Sequence, residues 1–173
     1  VDPSFVKLQA AVVRELSILS AADLERHPGG DPARWNARQI VEHLLLTYRL
    51  SGKVFTERLA KGRPTLAQVN RRQLIARFMV LRLGRFPGRP LAPANVTPST
   101  IPCEMVDGSC LAEQFAVELQ VMDELLGRCE EQFARNRFAT HQILGPLCAE
   151  EWRRFHVVHS RHHLKQIVRT KSL

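Results

Sequence analysis

Long apolar runs are missing from this chain. No stretch approaches the roughly 20 residues a helix needs to cross a bilayer, so no membrane partner is expected. Cysteine is sparse and unpatterned: Cys103, Cys110, Cys129 and Cys148 show no C-x-x-C spacing, which excludes a zinc ribbon and a thioredoxin-like motif. Reduced thiols in a cytoplasmic protein are the expectation. A Cys103 to Cys110 bridge stays open, although 173 residues do not need one for stability. The opening VDPSFVKLQAAVV has no basic segment ahead of an apolar one, so no secretion signal is read there. Acidic residues are also short, with 17 Asp+Glu against 25 Lys+Arg and a formal charge of +8, a balance that suits an anionic partner or substrate. The cations are scattered, without the dense basic runs and interleaved aromatics of a nucleic-acid groove, which argues against nucleic acid.

What the chain does have is helical periodicity. With 45% hydrophobic residues it can build one core, so a single domain spanning 1–173 is expected. Asp2-Pro3-Ser4 starts a first helix whose Phe5, Leu8, Val12, Leu16 and Leu19 recur at helical spacing through to Ala22. The breaker-rich turn HPGGDP follows. Asn36 with Gln39 then forms a capping-box pattern behind Trp35, and a second helix should run from Ala37 to about Ala60. Leu66 to Leu83 reads as an additional, arginine-rich helix carrying Leu74, Phe78 and Leu81. From Gly84 to Ser109 five prolines and no sustained period predict a long ordered loop. Leu111, Phe115, Leu119, Met122, Leu125, Cys129 and Phe133 mark a third principal helix, and Ala149 to Arg169, free of Gly and Pro, a fourth. No segment shows strand alternation with hairpin turns, so the fold expected is all-α, a four-helix bundle with an additional helix and a long loop between helices two and three.

The last helix carries four histidines in eight positions: His156, His159, His162 and His163. His159 and His163 stand i, i+4, and with Trp152 they point within about 20° of one direction, on the apolar stripe. Two imidazoles so placed can grip one metal ion, which needs at least one more ligand from elsewhere. On the second helix His43 lies on the stripe of Ile40, Leu44, Thr47, Leu50 and Val54 and so points inward. Other readings compete. A histidine on an apolar face is often a hydrogen-bonded core residue, the macrodipole favours His162 and His163 near a C-terminus, and the i, i+3 pairs His156–His159 and His159–His162 are also possible ligands. His27 and His141 sit in breaker-rich linkers and are expected at the surface. Gln166, one turn beyond His163, either orients a ligand imidazole or metal-bound water or faces solvent.

The capped start WNARQIVEHLL, the segment GPLCAEEW, the His159-x-x-x-His163 pair and Gln166 together resemble the DinB-like superfamily of metal-binding four-helix-bundle proteins. The resemblance spans nearly the whole chain in helix order. It implies one divalent ion, zinc or nickel, held by one histidine of the second helix and two of the last, here His43, His159 and His163, with water completing the coordination. The sequence departs from the family where Cys148 replaces the usual Thr or Ser cap, a substitution expected to weaken the reciprocal bond with Glu151.

Three protein nitrogens and an open position describe a catalytic type of site. The ion could activate water against an ester or amide, with Glu42, Glu118 or Gln114 assisting. Alternatively it could hold a low-molecular-weight thiol as thiolate for transfer to a small-molecule electrophile, as in the S-transferases of the similar family. Arg85 and Arg89 would then contact an anionic cofactor. Two other classes remain: a non-catalytic metal-binding or interaction module, and a basic nucleic-acid binder. A homodimer through the helix between Leu66 and Leu83 is a further expectation.

Overall fold

The computed structural model describes residues 2–86, 92–99 and 107–170. Helix α1 (Pro3–Leu16) starts at Asp2, whose carboxylate accepts from the Ser4 amide at 2.8 Å, with Pro3 in the first turn. It buries Phe5, Leu8, Val12 and Leu16. The helix stops short of the expected Ala22. Ser20 opens a capping box of its own with Asp23, and that box starts the short α2 (Ala21–Glu25). Leu19 is buried nonetheless, from the turn between them.

Helix α3 (Ala37–Lys61) has the expected Asn36/Gln39 box and ends at Gly62, whose φ of 65° is the left-handed stop that glycine adopts without cost. The additional helix begins later than its apolar spacing suggests. α4 (Arg71–Arg77) starts where Asn70 and Gln73 cap each other, and then passes into a wider turn, Phe78–Arg82, closed by the Leu83 amide on the Phe78 carbonyl at 3.3 Å. Residues 66–70 are not helical.

Helix α5 (Gly108–Phe133) starts at Asp107, which accepts from the Cys110 amide at 2.9 Å. Gly108 has a specific reason to be glycine: a Cβ there would lie 1.8 Å from the Leu16 carbonyl oxygen, where the end of α1 meets the start of α5. Strands β1 (Ala139–His141) and β2 (Gly145–Leu147) then pair antiparallel, Ala139 opposite Leu147. This small sheet corrects the expectation of no strand. Three-residue strands are too short to show alternation, and the pairing is held from outside by Arg77, which donates to the Leu144 and Pro146 carbonyls at 3.0 and 2.5 Å.

Helix α6 (Ala149–Thr170) closes the chain. Its first turn keeps half of the expected cap, the Cys148 amide donating to Glu151 at 3.1 Å. The fold is all-α with four long helices, in which α5 packs on α1 and α3, and α6 on α1 and α3. Tyr48, Phe55, Phe115, Leu119, Met122, Leu126 and Phe138 fill the space between them, and each such side chain contributes roughly 1.5–3 kcal/mol by leaving water. Among the described residues no helix is long and apolar enough to cross a membrane. Leu50, expected on the inner stripe of α3, is 37% exposed.

Candidate metal centre

The first turns of α3 lie against the second half of α6. His43, seven residues into α3, thereby meets His159 and His163, and their ligand atoms all lie within 4.8 Å of one another. The His43 Nε2 stands 3.3 Å from the His159 Nε2, which in turn stands 3.2 Å from the His163 Nε2. Backbone and side-chain acceptors fix two of the rings from behind. His43 Nδ1 is 2.7 Å from the Val96 carbonyl, and His163 Nδ1 is 2.8 Å from the Gln166 Oε1. An N–H on each Nδ1 makes those bonds and leaves a lone pair on each Nε2. His159 has at most one Nε2 proton to place between two lone pairs, so one of the two short contacts is lone pair against lone pair.

A cation resolves that arrangement. The two separations from His159, 3.3 and 3.2 Å, are each close to the edge of a tetrahedron with metal–nitrogen bonds of about 2.0–2.1 Å, roughly 3.3 Å, and all three ligand atoms lie within 4.8 Å of one another. The donor set therefore fits a divalent transition-metal ion. Burial keeps the three rings in the neutral form that ligation requires: it lowers His43, and burial plus neighbouring imidazoles lowers His159 well below the usual range and brings His163 down to about 3. The group is one that could hold a metal ion.

A family model described as the DinB superfamily matches residues 4–167. The chain belongs to the DinB superfamily. No curated protein and no solved structure matches it.

In this DinB-superfamily chain the walls of the site are aromatic. Phe155 stacks on His159 at a ring separation of 5.3 Å, Trp35 lies 5.1 Å from His43, and Phe86 meets His159 edge-on at 5.6 Å and His162 at a tilt at 5.3 Å. Trp35 and Phe155 follow from the sequence as the residue before the cap and as a stripe aromatic. Phe86 and the Val96 carbonyl do not: both lie in the proline-rich segment, and a main-chain oxygen has no residue identity to read. Gln166 bonds His163 rather than facing solvent, and its amide also reaches the His162 Nε2 at 3.2 Å. His162 itself is exposed and outside the group, so the i, i+3 pairings are not the ones the structure brings together.

The proposed assistants are placed elsewhere. Glu42 accepts from Arg38 at 3.1 Å and from the Ser99 amide at 3.0 Å, Glu118 pairs with Arg49 at 2.6 Å, and Gln114 donates to the Cys110 sulfur. Arg85 is exposed beside Phe86, and Arg89 lies outside the described residues. His141, expected at the surface, is half-buried against Phe155 and Trp152, with ring separations of 4.4 and 5.5 Å. Its Nδ1 accepts from the Ile143 and Leu144 amides, which turns the ring inward at the hairpin. Cys110, Cys129 and Cys148 are free thiols, and Cys103 lies outside the described residues. Burial pushes Cys148 up and Cys129 up to about 11, which keeps both thiols protonated and unreactive at neutral pH.

Proposed function

We propose that this chain holds one divalent ion, zinc or nickel, on His43, His159 and His163, and is a metal-dependent enzyme acting on a small-molecule substrate. The observation that carries the reading is the pair of short Nε2 contacts on His159 from two rings whose Nδ1 atoms are already engaged. A bound divalent ion supplies Lewis acidity, acidifying water or a thiol in the position that the protein leaves open.

Of the two chemistries, thiol transfer has the better support. The side chains that touch the histidines are the aromatic faces of Trp35, Phe86 and Phe155, an apolar surround that favours a soft, weakly hydrated sulfur ligand. The carboxylate next to His43 in sequence, Glu42, is engaged by Arg38 and the Ser99 amide, so it is not free to take a proton from water. On this reading the histidines hold the reactive centre, Phe86 and Trp35 exclude water beside it, and the excess of positive charge draws an anionic thiol cofactor. Hydrolysis of an ester or amide is the second reading and rests on the same donor set. A cytoplasmic location belongs with the thiol reading, since such cofactors are kept reduced there.

Elemental analysis by inductively coupled plasma mass spectrometry tests it, on wild type beside His43→Ala and His159→Ala. About one ion per chain in wild type and little in either variant is expected. Wild type without stoichiometric metal after reconstitution would leave a non-catalytic interaction module. With metal established, conjugation of a chromogenic electrophile by added thiols against cleavage of a chromogenic ester separates the two chemistries.

A further inference from the structure

The segment from α4 through the turn at Phe78–Arg82 buries Ala76, Arg77 and Val80 and leaves several of its larger apolar side chains outside. A surface helix ordinarily buries its apolar stripe and shows its charges. Here the guanidinium of Arg77 points inward, donating to the Leu144 and Pro146 carbonyls and standing 3.5 Å from Glu151. Four apolar side chains point outward: Leu74, Ile75, Phe78 and Leu83 are 49%, 66%, 57% and 51% exposed. Leu74, Ile75 and Phe78 share a face by their i, i+3 and i+4 spacing. Exposed Arg71 and Arg72 precede them, and exposed Arg82 and Arg85 follow. Arg154 of α6 reaches the same segment, its Nε donating to the Leu81 carbonyl at 3.3 Å.

The charge carried by this segment has one sign. From Arg58 to Cys103 the sequence holds nine Lys and Arg and no Asp or Glu. That composition decides between occupants. A second copy packed on the same face would set arginines against arginines, with no carboxylate in the segment to answer them. A nucleic-acid strand is read by phosphate contacts plus stacking on successive aromatics, and this face offers a single exposed ring, Phe78, among aliphatic Leu74, Ile75 and Leu83. An anionic bilayer surface satisfies both parts: the apolar side chains enter the boundary of the acyl chains, and the guanidinium groups take the phosphates of the headgroups. We propose that the outward face of α4 and its following turn docks on an anionic lipid surface. The expectation of no membrane partner rested on the absence of a spanning run, and docking on a surface does not require one.

Cosedimentation of the full chain with vesicles of equal parts phosphatidylglycerol and phosphatidylcholine, against pure phosphatidylcholine vesicles, tests this. Binding to the anionic vesicles alone is expected, weakening as salt is raised. Phe78→Ser should weaken it about tenfold, because the exposed ring has apolar area to bury. Arg71→Gln with Arg72→Gln should weaken it by about tenfold or more. Both sites are exposed, and circular dichroism checks that the variants fold. Val117→Ser on α5, at an equally exposed apolar position away from this face, should change nothing. Absent binding, equal binding to the neutral vesicles, or binding that Phe78→Ser leaves unchanged would overturn the proposal. So would a dimer in sedimentation velocity that Phe78→Ser dissociates, which would assign the face to a second copy.

Discussion

Gln166 accepts from His163 one helical turn behind it, at 2.8 Å, and so fixes which ring nitrogen His163 turns toward His159. The side chain that sets this tautomer touches none of the other two histidines, yet it decides whether three lone pairs can converge.

Replacing that acceptor should therefore loosen metal binding without removing a ligand. Gln166→Leu is expected to lower the affinity for zinc about 10–100-fold, the range typical of outer partners of ligating histidines. Gln166→Glu, which keeps an acceptor, should restore it. Competition with a chromophoric chelator measures both, and equal affinity in wild type and Gln166→Leu would show that the contact carries no orientation.

Acid should destabilise the fold through histidines away from the three ligands. Burial lowers His156 to about 3 and His141 to about 4, below the usual value of about 6.5. A lowered histidine is neutral in the folded state while the unfolded chain takes up a proton. Stability is then full above about pH 6.5 and falls as pH drops toward 4. The loss is on the order of 3 kcal/mol for His141 alone. Urea melts at pH 7 and pH 5 read it. His156→Phe, which keeps the ring stacked on Tyr48 at 4.6 Å, should flatten the dependence.

Two glycines of α5 should respond in opposite directions. Gly108→Ala forces a methyl against the Leu16 carbonyl and is expected to cost about 1–3 kcal/mol or more. Gly127→Ala has nothing within 4 Å of the new Cβ and should stabilise by up to about 1 kcal/mol through helix propensity. Thermal melts of the two variants distinguish local space from propensity.

Arg77→Met should destabilise by about 2 kcal/mol or more, because it leaves the Leu144 and Pro146 carbonyls and Glu151 without their buried donor. A lower urea midpoint with unchanged slope is the expected signature. An unchanged midpoint would mean that the hairpin is held by its own pairing.

The parts of this molecule that were readable in its sequence are those encoded locally. The Asn36/Gln39 box places the start of α3, and helical spacing puts His43, His159 and His163 on buried stripes. Three features were not read from it, and two of them depend on partners far along the chain. α1 ends at Leu16 because Ser20 caps a new helix with Asp23, although Leu19 continues the apolar spacing. α4 turns Leu74 and Phe78 outward because Arg77 finds carbonyls about 70 residues ahead, a choice that hydrophobic pattern alone assigns the other way. Val96 supplies only a carbonyl.

His43 lies near the start of α3 and His159 and His163 in the second half of α6, while Phe55, Trp152, Phe133 and Phe138 pack together further along with ring separations of 5.0–5.3 Å. The histidine group and the Phe55–Trp152 contact are thus set apart along the same two helices. Under the proposed function, substitutions in the aromatic walls at Trp35 and Phe86 change what the site accepts while the distant aromatic contact keeps the helices in register.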